Sequence, residues 1–100
     1  MILHTVNKSP FEKNTLTSCL KHCKDGSSLL LIEDGVFAAL SGTTFSEKVT
    51  EAMKKMNVYV LEPDLNARGV QDRLIDGIKK VDYAGYVDLA IEHDTVDAWL

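Results

Sequence analysis

The chain has 100 residues, with 15 acidic and 11 basic side chains, a net charge of -4 and a pI near 5.2. That length supports one compact domain, residues 1–100, and excludes a multidomain enzyme. A hydrophobic fraction of 45% is too high for a disordered chain, and the acidic balance provides no basic field for direct contact with a nucleic acid or an anionic membrane.

Ile2 to Val6 is a short apolar segment. Ser9, Pro10 and Glu12 then spell a helix start, with a capping serine, a proline suited to the first helical position and a glutamate placed for a capping box. The spacing predicts a helix from Pro10 to about Lys24. Leu16, Cys19, Leu20 and Cys23 recur on it at i, i+3, i+4 and i+7, so both cysteines share one stripe. After Asp25-Gly26, the apolar run within Ser27 to Ile32 suits a strand covered on both faces.

Asp34 is placed to cap a short helix through Leu40, and Ser46 opens another whose stripe is Val49, Ala52, Met53 and Met56. Val58 to Leu61 is the third strand. Pro63 to Arg68 reads as a turn or two of helix closed by Gly69, and Val70 to Ile78 as a further helix. Lys80 to Asp82 is a short fourth strand. Tyr83 to about His93 is the last helix, with Tyr83, Val87, Ala90 and Ile91 assigned to its inner face, and the chain ends on Trp99 and Leu100.

Strands alternating with helices at this pitch predict an α/β domain: a small, mainly parallel sheet of four to five strands with helices on both faces. In such a sheet the functional crevice lies beyond the carboxyl ends of the strands, here Asn7 to Phe11, Glu33 to Ala38 and Glu62 to Gly69. The longest apolar run, Leu29 to Ile32, falls far short of the roughly 20 residues that span a bilayer. Met1 to Val6 lacks the basic and long apolar regions of a signal peptide, so the chain reads as cytoplasmic.

The glycines are isolated, and no phosphate-cradling motif or nucleotide cofactor is indicated. No metal site is expected either. Cys19, His22 and Cys23 supply only part of a coordination shell, and His4 and His93 have no ligand spacing. Cys19 sits mid-helix on an apolar stripe, where cysteine commonly packs as a small hydrophobe; His22, Lys21 and Lys24 nearby offer electropositive help to a thiolate. A disulfide between Cys19 and Cys23 would need suitable side-chain vectors within one helix. Asp64 and Arg68, four apart, suit an intrahelical ion pair, with a binding role at the rim as the alternative, and Asp34 suits a cap better than the edge of an anion site. Tyr83, Tyr86 and Trp99 suit either the core or a subunit contact.

Five segments carry a resemblance that runs from end to end: Leu3-His4-Thr5-Val6-Asn7-Lys8-Ser9-Pro10-Phe11, Leu31-Ile32-Glu33-Asp34-Gly35-Val36-Phe37-Ala38-Ala39, Asp64-Leu65-Asn66-Ala67-Arg68-Gly69, Val81-Asp82-Tyr83-Ala84-Gly85-Tyr86-Val87-Asp88-Leu89 and Ala98-Trp99-Leu100. In this order and spacing they resemble the DsrH/TusB family, and Ser18-Cys19-Leu20 resembles the DsrH branch more closely. The resemblance implies a DsrE/DsrF/DsrH-like fold with flavodoxin-like layering. It also implies a cytoplasmic subunit of a sulfur-relay, or persulfide sulfurtransferase, complex. Its sisters would be DsrE/TusD-like and DsrF/TusC-like chains in a dimer of heterotrimers, and the isolated chain would be open to self-association through the surface meant for them. Sulfur would pass to a DsrC/TusE-type carrier, for sulfur oxidation or for 2-thiolation of tRNA wobble uridine. By the same resemblance, the principal sulfur-bearing cysteine would belong to the DsrE/TusD-like sister. Cys19 is the position carried over as a candidate sulfur acceptor, whereas Cys23 lies outside the family pattern. The alternative implied is a non-catalytic subunit that positions the sister. A free-standing thiol oxidoreductase is disfavoured by the lack of a C-x-x-C motif.

Overall fold

The computed structural model describes all residues from Met1 to Leu100. Five strands form one sheet: β1 (Ile2–Val6), β2 (Ser28–Leu31), β3 (Asn57–Leu61), β4 (Lys79–Val81) and β5 (Thr95–Trp99). Their order is β4-β3-β2-β1-β5, and every pairing is parallel. Four α-helices connect them: α1 (Thr15–His22), α2 (Ser46–Ala52), α3 (Glu62–Ala67) and α4 (Tyr83–Glu92). A 3-10 helix, Glu33–Ala39, follows β2. The α/β class and the helices on both faces are as expected.

The two faces are covered unequally. Val6, Leu29, Leu31, Val58 and Val60 join Leu16 and Cys19 of α1, Val36 of the 3-10 helix, Val49 of α2 and Leu65 of α3 in the large core. The alternate strand positions Leu3 and Leu30 pack on the other face under Leu89 of α4. β2 is buried along its whole length, which explains the unbroken Leu29-Leu30-Leu31 run. Its Ser28 hydroxyl donates to Nε2 of His93 (2.9 Å), whose Nδ1–H donates to the Leu89 carbonyl (2.6 Å) at the end of α4.

Three expectations about the helices are corrected. The first helix begins at Thr15 rather than Pro10. Ser9 Oγ does accept from the Phe11 N–H, and the Ser9 carbonyl accepts from Glu12 and Lys13, but this capping closes an isolated turn. Val70 to Ile78 contains only a three-residue 3-10 turn, Gln71–Arg73. Leu74 instead bridges Leu40 in antiparallel fashion, and the Ile75 N–H donates to the Ala39 carbonyl, drawing the segment out along the end of the first 3-10 helix.

On α4 the stripe assigned inward is the outer one. Tyr83, Val87 and Ile91 are 61%, 57% and 76% exposed, whereas Leu89 and Tyr86 face the sheet. The helix is apolar on more than one side, and periodicity alone cannot choose between them. The C-terminal segment forms a fifth strand rather than an apolar tail. Its charged Asp97 and largely exposed side chains mark an edge strand, which carries only a weak hydrophobic signal.

Gly35 fixes how the 3-10 helix meets β1. A Cβ on this residue would lie 2.1 Å from the Val6 carbonyl oxygen, a backbone atom with no room to yield. Gly35→Ala is therefore expected to lower the stability by about 1–3 kcal/mol in urea unfolding, the range for overpacking a filled site; an unchanged midpoint would contradict this close approach.

Candidate functional site

The rim beyond the carboxyl ends of the strands is a tied network. Glu33 takes a left-handed backbone conformation (φ 49°), uncommon for a residue with a Cβ. Its N–H donates to the Asp64 carboxylate at 2.6 Å. Arg68 donates to the Asp34 carboxylate from Nε (3.0 Å) and Nη2 (2.9 Å), and from Nη1 to the backbone carbonyl of Asp64 (3.1 Å). Asp34 therefore does not cap a helix, and Asp64 and Arg68 do not pair through their side chains. Both carboxylates instead join the start of the 3-10 helix to α3. Of the rim residues expected to form the crevice, Glu33, Asp34, Asp64 and Arg68 thus hold two connections together.

The chemically distinctive cluster lies on the flank, where α1 crosses the β1 and β5 side of the sheet. α1 returns from the carboxyl end of β1 toward the start of β2, so Cys23 lies toward the amino ends of the strands, away from the rim. Cys19 is fully buried in the large core, and Cys23, the C-cap of α1, is partly exposed. The two sulfurs are 3.6 Å apart. His4 joins them from β1. One ring nitrogen of His4 and both sulfurs lie within 4.8 Å of one another. Sequence spacing set His4 aside because the residues that meet it are fifteen and more positions away; its parity with Val6 on β1 places it on the face that α1 covers.

Trp99 of β5 completes the cluster. Its indole Nε1–H donates to His4 Nδ1 at 3.0 Å. An indole nitrogen can only donate, so Nδ1 of neutral His4 is the acceptor and Nε2 carries the ring proton. Either ring nitrogen could ligate a metal only after Trp99 gave up this bond. The bonded arrangement offers the sulfurs an imidazole and a thiol pair rather than an open coordination shell. Burial lowers the pKa of His4, and the Asp97 carboxylate partly offsets this. The Trp99 ring also lies against His22 (5.9 Å between centroids), whose Nδ1–H donates to the Ser18 carbonyl.

The two thiols are inequivalent. Cys19 is held as a thiol, its pKa raised first by donating to Cys23 and then by burial, with the charges of Cys23 and Asp97 adding to the effect. Cys23 is shifted down because Cys19 donates to its sulfur, with burial opposing. Lys21 and His22 in the last turn of α1 oppose the unfavourable dipole at its C-terminus. The structure therefore pairs Cys19 with Cys23, its neighbour on the helix stripe, which lies outside the family pattern. The largest surface groove, about 500 Å³ between α1 and α2, is lined by Lys21, Lys48 and Lys55 facing Glu47 and Glu51 and contains neither cysteine.

Comparisons with known proteins agree over the whole chain. The family described as "DsrH like protein" matches residues 8–96. Protein TusB of Pectobacterium parmentieri is 34% identical over 98 residues, covering 98% of this chain and 100% of that protein. Protein TusB of Escherichia coli O81 (strain ED1a) is 37% identical with the same coverage. Among solved structures, the ychN protein of E. coli superposes with a TM-score of 0.81 at 19% identity, covering 97% of each chain. A protein of unknown function from Methanobacterium thermoautotrophicum, MTH1491, superposes with a TM-score of 0.73 at 12% identity, over 97% of this chain and 96% of that one. The last two establish a shared fold.

The buried, neutral His4 has a stability consequence. The unfolded chain takes up a proton near pH 6.5 and the folded chain resists it, so this contribution is complete above that pH and declines as the pH falls below it. Urea unfolding at about pH 7.5 and 5.5 is expected to show a smaller acid loss in His4→Gln than in wild type. Equal losses would contradict a desolvated His4.

Proposed function

Because this chain belongs to the DsrH/TusB family, we propose that it works as one subunit of a cytoplasmic sulfur-relay complex, with DsrE/TusD-like and DsrF/TusC-like sisters arranged as a dimer of heterotrimers. The family match over residues 8–96 carries this reading. The complex passes persulfide sulfur to a DsrC/TusE-type carrier, for sulfur oxidation or tRNA wobble uridine 2-thiolation. Cys19, at the family position, contributes the sulfur-handling site of this chain together with its neighbour Cys23, 3.6 Å away. No helix is long and apolar enough to cross a membrane, which is consistent with this setting.

The surface supports assembly. Tyr83, Val87 and Ile91 follow at i, i+4 and i+8 along the outer side of α4, and exposed Val96 on β5 pairs with Leu3 on the same face of the sheet. An apolar stripe of this kind, with a tyrosine whose polar tip tolerates partial wetting, suits a subunit interface. A second reading is favoured by one observation, the complete burial of Cys19: the chain holds the sister that bears the active cysteine and transfers no sulfur itself.

Co-expression with the two sisters, followed by native mass spectrometry, tests the assembly. The expected result is a complex containing all three chains, two copies of each. Ile91→Lys is expected to weaken subunit association by at least about tenfold while leaving the urea midpoint of the isolated chain unchanged, since Ile91 is 76% exposed. A wild-type chain that joins neither sister would contradict the proposed role.

A further inference from the structure

Resting on the sulfur-relay reading, we infer that Cys23 is the nucleophile that takes up sulfane sulfur in this chain and that Cys19 is its hydrogen-bond donor. The geometry divides the roles. Cys19 is fully buried, mid-helix, with its sulfur 3.6 Å from that of Cys23. Cys23 is partly exposed at the C-cap, one residue past the end of α1, with an extended backbone (φ -70°, ψ 136°) that leads out of the helix. Cys23 packs against the edge of the large core and is the partly exposed member of the pair, whereas a donor persulfide can reach Cys19 only by displacing residues packed inside that core.

Neighbouring groups favour the same division. A thiolate is stabilised by a hydrogen bond from a thiol that holds its proton more tightly, and Cys19, raised by that bond and by burial, is such a donor. The charged and titratable groups around the pair are His4 from β1, Asp97 from β5, and Lys21, His22 and Lys24 at the end of α1. The hydrogen bond to Cys23 and burial keep the donor protonated, and the charge of Asp97 adds a smaller push in the same direction. The basic residues sit at the Cys23 end of the helix.

The substrate class is a persulfide, either low-molecular-weight or on another protein. The Cys23 thiolate attacks the outer sulfur of R–S–SH. A bond forms between Cys23 Sγ and that sulfur, the S–S bond of the donor breaks, and its electron pair leaves with R–S⁻. The terminal proton stays on the transferred sulfur, giving Cys23–S–SH. Sulfane sulfur moves without a net change in oxidation state, so no oxidant or reductant is consumed. A carrier thiolate then attacks the same outer sulfur and restores the Cys23 thiolate.

The full chain is exposed to glutathione persulfide, quenched and weighed intact, then cleaved at Lys21, which separates the two cysteines. Circular dichroism confirms that each variant is folded. One sulfur atom, removable by a reducing agent, is expected on the Cys23 peptide of wild type and absent from Cys23→Ser. Cys19→Ser keeps a hydroxyl donor and is expected to load near the wild-type rate, whereas Cys19→Ala, without a donor, is expected to load at least about tenfold more slowly at neutral pH. Sulfur mapped to Cys19, or equal loading of Cys19→Ala and wild type, would overturn the assignment. Loading at Cys23 with no onward transfer to a DsrC/TusE-type carrier in the assembled complex would instead overturn the relay reading and leave the assignment of Cys23 intact.

Discussion

The docking of β5 against β1 organises the flank of this molecule. The chain leaves β4 at one edge of the sheet, crosses the whole face as α4, and returns at the opposite edge beside β1. Only this long connection brings Trp99 over His4, since ninety-five positions separate them in the chain. The indole N–H then decides which nitrogen of His4 holds a proton, and so occupies a lone pair of the histidine that stands within 4.8 Å of the Cys19 and Cys23 sulfurs. A contact made by the second-last residue thus sets the chemistry beside the first helix.

The same architecture separates two kinds of order. At the carboxyl rim, where parallel α/β sheets commonly bind ligands, Arg68, Asp34, Asp64 and the strained Glu33 backbone tie the 3-10 helix to α3. Those polar groups are occupied with each other. On the flank, Cys19 lies inside the large core and Cys23, partly exposed, packs against its edge. α4 adds a third region, covering the smaller core with Leu89 and Tyr86 while turning Tyr83, Val87 and Ile91 outward. A small domain that leaves this much apolar surface on its only helix over that face is suited to a larger assembly.

Much of the fold was legible because its signals are local. The Leu29-Leu30-Leu31 run, the Val58-Tyr59-Val60-Leu61 strand and the alternation of strand with helix follow from short stretches of sequence, and the parallel sheet follows from their order. What was misread depends on distant partners. Val70 to Ile78 is drawn extended by Leu40 and Ala39, thirty and more residues away. The side of α4 that packs is chosen by the sheet, and β5 is an edge strand with little hydrophobic signal. Cys19 was legible as a buried stripe position, and its candidacy as a sulfur acceptor came from the family resemblance alone. His4 and Trp99 were not, because only the sheet register brings them to it. Asp34 and Asp64 each had a plausible local partner, and the fold gave each a non-local one.

The account stands most directly on whether sulfur passes through this chain. The reconstituted complex is given a DsrE/TusD-like sister carrying radiolabelled sulfane sulfur, a DsrC/TusE-type carrier is added, and the subunits are separated at successive times. The account predicts that label appears on this chain before it reaches the carrier, and that a Cys19→Ser, Cys23→Ser double variant slows labelling of the carrier. Carrier labelled at the same rate with the double variant, and no label on this chain at any time, would contradict it and leave the chain as a scaffold.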